Sequence, residues 1–228
     1  MKNYLAPSLM CCDLLNIGRD LKDLEQSGMD WVHFDIMDTT FTTSTMLPAM
    51  MLKKVSAATS MPMDVHIMSV TPELYFPQVL PYCAGGYVSV HAEGLRHLPY
   101  LFEQIRQSGA KVGLALNAST PLTYVEENAH LLDMVVLMNV LAGVTGPRKD
   151  IDKHMEERIR RTRDILNRAG RTDAIVSLDG NASLRNSRLA RQNGANAFVL
   201  GTASIFRPDV PLRQACQDFR KTFEEEDA

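Results

Sequence analysis

Two short apolar runs carry residues that an ordinary buried strand leaves out. Trp31-Val-His-Phe-Asp-Ile-Met37 and Met63-Asp-Val-His-Ile-Met68 each set histidine and aspartate among β-forming neighbours. Side chains on a strand alternate with period two, so His33, Asp35 and Met37 share one side, as do Asp64, His66 and Met68. Unpaired polar groups on the inside of a fold are costly. A bound divalent cation removes that cost, because imidazole nitrogen and carboxylate oxygen suit zinc, manganese or ferrous iron. Asp179, in Ser177-Leu-Asp179-Gly180, ends a further candidate strand and adds another carboxylate. The competing reading makes the histidines hydrogen-bonded core residues and the aspartates helix caps. That suffices for one such histidine. Two strands and Asp179 together, all at the C-terminal ends of strands, favour a site, since barrel enzymes build their chemistry there. Met37, Met68 and Met138 close strands in the same way and are equally compatible with packing.

The elements that must position these residues alternate along the whole chain. Candidate strands are Tyr4 to Ser8, Trp31 to Met37, Met63 to Met68, Tyr87 to His91, Lys111 to Leu116, Met134 to Met138, Ala174 to Leu178 and Ala197 to Leu200. Segments of helical period separate them. Leu14, Ile17, Leu21 and Leu24 form one apolar stripe, as do Met155, Ile159, Thr162 and Leu166. The basic stretch from Arg158 to Arg171 is interspersed with acids and reads as a solvated helix face. Gly28, Gly109, Gly170 and Gly194 follow helical patterns and precede strands, where a left-handed cap favours glycine. Alternating strands and helices imply a parallel sheet joined by crossovers. Eight such units predict one domain, residues 1–228, folded as a (β/α)8 TIM barrel. Gly180 and Gly201, after the last two strands, fall where such barrels bind phosphate on backbone amides. Gly143 and Gly146 after the sixth strand face the same mouth, with Arg148 nearby.

Composition narrows the function classes. The 228 residues include 24 Lys+Arg and 27 Asp+Glu, a net charge of −3, with 45% hydrophobic and 22% charged residues. The chain is too apolar for disorder. It lacks the concentrated basic footprint of a nucleic-acid binder. The most apolar window, Leu131 to Val144, is broken by Asp133 and Asn139 and is too short to span a membrane. No secretory signal is evident at Met1 to Met10, so a cytoplasmic location is expected. Cys11, Cys12, Cys83 and Cys216 lack paired metal-site spacing and are expected to be reduced thiols.

Read as a set, Pro7-Ser-Leu9, Val32-His-Phe-Asp-Ile-Met-Asp38, Asp64-Val-His-Ile-Met68, His91-Ala-Glu93, Gly113-Leu-Ala-Leu-Asn117 with Thr120-Pro121, Asp179-Gly180 and Gly201-Thr202 resemble the ribulose-phosphate 3-epimerase family nearly end to end. The resemblance implies a phosphate-binding (β/α)8 barrel and a metal-dependent epimerase acting at C3 of a ketose phosphate. It implies that His33, Asp35, His66 and Asp179 hold one divalent metal ion, whether zinc, manganese, iron or cobalt. Asp35 and Asp179 become the proton-transferring pair, Ser8 contacts the sugar, and Met37, Met68 and Met138 cap the reacting carbons. Gly143, Gly146, Gly180, Asn181, Gly201 and Thr202 complete the expected substrate contacts. A homo-oligomer is expected on the same ground.

The chain also departs from the family. Where the family continues Met-Asp with glycine and a Val-Pro-Asn stretch, this sequence has Thr39-Thr-Phe-Thr-Thr-Ser44. The loop after strand six reads Val140-Leu-Ala-Gly-Val-Thr-Gly-Pro-Arg148 in place of a Pro-Gly-Phe-Gly-Gly-Gln type, and the glycine pair after strand seven becomes Gly180-Asn181. Metal residues are kept while substrate loops change, so a divergent member acting on another pentulose or hexulose phosphate is expected. The alternatives are a lyase or decarboxylase on the same barrel and a sugar-phosphate-binding paralogue without turnover. The former commonly needs a lysine beside the reacting carbon, yet Lys111 begins strand five, at the wrong end of the barrel.

Overall fold

The computed structural model describes residues 1–94, 97–143 and 150–225. Eight strands alternate with helices, and the strands match the expected ones within a residue or two at each end. They are β1 (Tyr4–Pro7), β2 (Val32–Met37), β3 (Met63–Met68), β4 (Tyr87–His91), β5 (Lys111–Leu116), β6 (Met134–Met138), β7 (Ile175–Asp179) and β8 (Ala197–Leu200). The helices are α1 (Ile17–Gln26), α2 (Leu52–Ala58), α3 (Phe76–Val79), α4 (Leu98–Gln107), α5 (Thr123–Asn128), α6 (Lys153–Arg168), α7 (Leu184–Gln192) and α8 (Leu212–Glu224). The unit after β3 is the least regular. Pro72, Pro77 and Pro81 break it into one helical turn flanked by 3₁₀ turns, because proline removes a backbone donor and restricts the residue before it.

All pairings are parallel, in the order β1-β8-β7-β6-β5-β4-β3-β2. The ring is completed between β1 and β2 by a single bridge, Ser8 to His33. Ser8, expected inside the first strand, is therefore the residue that closes the barrel. This architecture is a (β/α)8 TIM barrel.

Every residue of β2 and β3 is buried, which is why these strands read as continuous apolar runs interrupted only by His33, Asp35, Asp64 and His66. Phe34, Ile36, Val65, Ile67, Val88, Val90 and Leu114 belong to the large cluster shared with the helices. The lumen holds a separate cluster that includes Ala6, Met37, Met68, Ala115, Met134, Met138 and Ala197. Its lower end is plugged by aromatics: Tyr4 stacks on Trp31 with ring centres 4.3 Å apart, and Trp31 lies 4.9 Å from Tyr87. Lys111 covers Tyr87 from outside, 5.0 Å from the ring centre, at the end expected for it.

The four glycines expected to cap helices all take left-handed conformations, with φ from 73° to 105°. Two helical readings need correction. Leu14 precedes α1 and is 51% exposed, whereas Leu21 and Leu24 of the same stripe are fully buried. On α6, Arg158 and Arg163 are buried rather than solvated. Arg163 donates to Ala174 O at 2.8 Å, Gly194 O at 3.1 Å and Asn196 Oδ1 at 3.0 Å, and Arg158 to Asn117 O at 3.2 Å. Carbonyl acceptors at loop ends make it tolerable to bury these guanidinium groups. The four cysteines carry free thiols. Among the described residues, no helix is long and apolar enough to cross a membrane.

Candidate active site

Strand register brings the site together. Parallel pairing of β2 with β3 sets His33 beside Asp64, Asp35 beside His66 and Met37 beside Met68, while β6 and β7 pair Met138 with Asp179. His33, Asp35, His66 and Asp179 each offer one ligand atom, and these four atoms lie within 4.8 Å of one another. Both histidines are fully buried, and Asp35 and Asp179 are 3% and 8% exposed.

Partners orient Asp35 and His33. Ser8 Oγ donates to Asp35 Oδ2 at 2.7 Å, so the residue that closes the barrel also fixes the carboxylate. The other oxygen, Asp35 Oδ1, is 3.1 Å from His33 Nε2. His33 Nδ1 lies 2.7 Å from Asp64 Oδ2. His66 turns Nδ1 toward Asp179 Oδ2 at 3.3 Å and Asp35 Oδ1 at 3.5 Å, yet forms a hydrogen bond with neither. An unpaired buried polar atom costs about 1–3 kcal/mol, and a cation among these four groups would relieve it. The donor set, two imidazoles and two carboxylates, fits such an ion.

The charges reinforce one another. Burial alone would lower the proton affinity of His33, but Asp35 and Asp64 outweigh it and hold the imidazole well above its ordinary range. Burial likewise opposes protonation of His66, and its proximity to Asp179 and Asp35 raises it to about 9. Asp35 is held far below the carboxylate range, burial being overcome by His33 and then His66.

Above the cluster lies a cavity of about 190 Å³. Ser8, Met37, Met68, Met138, Gly143, Gly180, Asn181, Gly201 and Thr202 all line it, along with Asp35 and Asp179. Every expected substrate contact among the described residues therefore faces one space. Gly146 and Arg148 lie outside the described residues. His33 and His66 sit beneath the floor. The rim at β7 depends on backbone shape: Gly180 has φ 94° and a Cβ there would lie 2.5 Å from Val140 Cγ2, while Asn181 follows at φ 50°. Asparagine tolerates that left-handed region better than most residues.

Several contributors were not singled out from the sequence. Met10, Cys11, Val140, Leu141 and Ala203 also line the cavity. Burial pushes the Cys11 thiol up to about 11, so it stays protonated. Beneath the site, His91 and Glu93 extend the polar network, since His66 Nε2 is 2.9 Å from His91 Nε2 and His91 Nδ1 is 2.8 Å from Glu93 Oε2. His91-Ala-Glu93 belongs to the set that carries the family resemblance, but no role was assigned to it there. The altered loop after β2 forms its own contacts: Asp38 accepts from Thr40 N at 2.8 Å and from the Tyr75 hydroxyl at 2.9 Å, and the Phe41 ring lies 4.4 Å from His91. Ser44 Oγ donates to Gly143 O at 2.9 Å, tying this loop to the one after β6.

Comparison with known proteins agrees with this geometry. The model of the ribulose-phosphate 3 epimerase family matches residues 4–206. The ribulose-phosphate 3-epimerase of Bacillus subtilis (strain 168) is 32% identical over 205 residues, covering 90% of this chain and 93% of that protein. That of Escherichia coli (strain K12) is 30% identical over 213 residues, covering 92% of each. Among solved structures, a tryptophan synthase α-subunit variant from Pyrococcus furiosus superposes with a TM-score of 0.66 at 15% identity, covering 98% of this chain and 96% of that one. Thiamine phosphate pyrophosphorylase from the same organism gives 0.60 at 14% identity, with 98% and 96% covered. At such identities these structures attest to the barrel alone. With a family match over most of its length and the barrel and site of the preceding paragraphs, the chain belongs to the ribulose-phosphate 3-epimerase family, a family of isomerases.

Proposed function

We propose that this protein is a metal-dependent 3-epimerase of a ketose phosphate, with His33, Asp35, His66 and Asp179 as the ligands of one divalent ion. The observation that carries this reading is the convergence of two imidazoles and two carboxylates within 4.8 Å, directly under a cavity whose walls include both carboxylates. Such an ion supplies Lewis-acid stabilisation for negative charge developing on the substrate oxygens.

The chain's own groups move the proton. One of Asp35 and Asp179 removes hydrogen from C3 as a base, leaving an enediolate, and the other, protonated, returns a proton to the opposite face of that carbon. The two carboxyl groups exchange protonation states in each turnover, so the reverse reaction runs through the same pair. Ser8 holds Asp35 in place through its 2.7 Å hydrogen bond. Met37, Met68 and Met138 line the cavity above the carboxylates and keep water from the planar intermediate. Backbone amides around Gly180, Asn181, Gly201 and Thr202 receive the phosphate. Gly143 positions the opposite rim, held by Ser44.

The altered loops after β2 and β6 support a substrate other than ribulose 5-phosphate. Val140 and Leu141 give this side of the cavity an apolar lining. Pentulose 5-phosphates and hexulose 6-phosphates, incubated in D2O with and without a chelator, test the reading. It requires metal-dependent formation of a C3 epimer with deuterium at C3 from at least one of them; a panel in which none reacts contradicts it.

A further inference from the structure

The proton-transfer scheme leaves unused a buried chain of hydrogen bonds leading away from the cluster. His66 Nε2 faces His91 Nε2 at 2.9 Å, and His91 Nδ1 faces Glu93 Oε2 at 2.8 Å. Glu93 Oε1 accepts the Asn117 backbone N–H at 2.8 Å and the Thr120 hydroxyl. Both histidines are fully buried, so neither ring nitrogen can turn to water for a partner.

Two ring nitrogens at this separation hold one proton between them, and the far end decides which of them donates. Both Glu93 oxygens accept, one of them from a backbone N–H that can only donate. His91 must therefore donate from Nδ1, which leaves Nε2 as an acceptor. His66 must then donate from Nε2, which leaves Nδ1, the nitrogen facing Asp35 and Asp179, as the one that can offer a lone pair. We propose that Glu93, acting through His91, is a positioning residue that sets the direction of this chain and so presents the Nδ1 lone pair of His66 to a divalent cation. The inference rests on the metal reading above. His33 is served differently: Asp64 accepts directly from its Nδ1 at 2.7 Å, leaving Nε2 for the cluster. The two imidazoles thus reach one centre through opposite nitrogens, each fixed by a carboxylate, one directly and one at a remove.

Glu93→Gln reverses the polarity without changing the volume. The Asn117 N–H requires the amide oxygen on its side, so the amide NH2 faces His91 Nδ1 and forces it to accept. The proton then sits on His91 Nε2, and His66 is left with its proton on Nδ1, in place of the lone pair. With Co2+ as the probe, competition against a chromophoric chelator should show affinity about 10–100-fold below wild type, the usual effect of losing a partner of a metal ligand. In the metal-free proteins, 15N chemical shifts should place the His91 proton on Nδ1 in wild type and on Nε2 in the variant, a change that a merely structural role would not produce. His91→Phe keeps an aromatic ring against Phe41 but cuts the chain, and should also weaken Co2+ binding; it covers the case in which Glu93→Gln does not fold. Thr120→Val removes a donor without reversing the direction and should bind as wild type does. Wild-type Co2+ affinity in Glu93→Gln or His91→Phe overturns the proposal, as does an unchanged His91 tautomer in Glu93→Gln. Failure of the wild-type protein to bind Co2+ instead overturns the metal reading on which the proposal stands.

Discussion

Asp179→Asn separates holding the cluster together from moving the proton. The substitution keeps size and shape, and the Asp179 side chain is 12% exposed with Oδ2 3.3 Å from His66 Nδ1 and 3.7 Å from His33 Nε2. Little packing changes, so the barrel should persist, and an amide oxygen can still face the same centre. What is lost is a group that takes and gives a proton. A positioned acid or base contributes about 10²–10⁴ in rate, which at 1.36 kcal/mol per decade is about 3–5 kcal/mol of barrier. Asp35 is untouched, gripped by Ser8 on one oxygen and facing His33 with the other. The loss should therefore be one-sided. Epimerisation falls by the full factor in both directions, while solvent deuterium still enters the epimer whose C3 hydrogen faces Asp35 and not the one facing Asp179. Proton NMR in D2O, begun separately from each epimer and accompanied by metal analysis, reads both quantities. Epimerisation at the wild-type rate, or equal exchange from both epimers, would refute the division of labour.

Other consequences are open to measurement. Saturating metal at about 1,000 times its dissociation constant adds about 4 kcal/mol to stability, so stripping it should lower Tm by about 8–16 °C for a chain of this size; an unchanged scan after chelation counts against a folded-state site. Hydrogen bonds from His91, Thr120 and Asn117 overcome burial and hold the Glu93 carboxyl at about 2, below its ordinary range. Its contribution is therefore present above the unfolded value and lost as pH falls from about 4.5 toward 2, and Glu93→Gln should flatten the stability curve of the metal-free protein across that window. Gly113 lies on β5 where a Cβ would fall 2.0 Å from Ser89 Oγ. Gly113→Ala should cost about 1–3 kcal/mol by overpacking, read as a lower midpoint in denaturant, and the added Ser89→Gly should recover most of it.

How far the sequence anticipates the molecule depends on the kind of information each feature needs. Strands were legible because β2 to β8 are buried on both faces and so show as compact apolar runs between helical periods. Which side His33, Asp35 and His66 take was legible from period-two alternation, whereas the choice of the four expected ligands, with Asp64 left out, came from the family resemblance. Partnerships across strands were not. Asp64 could be placed on the face of His66, but that it orients His33 follows from the register of β2 against β3. His91 is a lone histidine in an apolar strand, and its link to His66 exists only through packing. Arg158 and Arg163 show the converse. Charge pattern alone turns them to solvent, whereas carbonyls from distant loop ends receive them indoors. Ser8 was expected at the end of the first strand and, by the resemblance, against the sugar, yet it also closes the barrel and steadies a carboxylate.

The central claim is that one divalent ion held by His33, Asp35, His66 and Asp179 enables hydrogen exchange at C3. Adding Co2+ stepwise to metal-stripped protein in D2O, with a reactive ketose phosphate present, lets visible absorption and C3 deuteration be followed in one sample. Both signals should rise together and level off at about one ion per chain, the number a single four-ligand site holds. Full-rate deuteration before any Co2+ is added, or Co2+ uptake that leaves deuteration unmoved, would contradict the account.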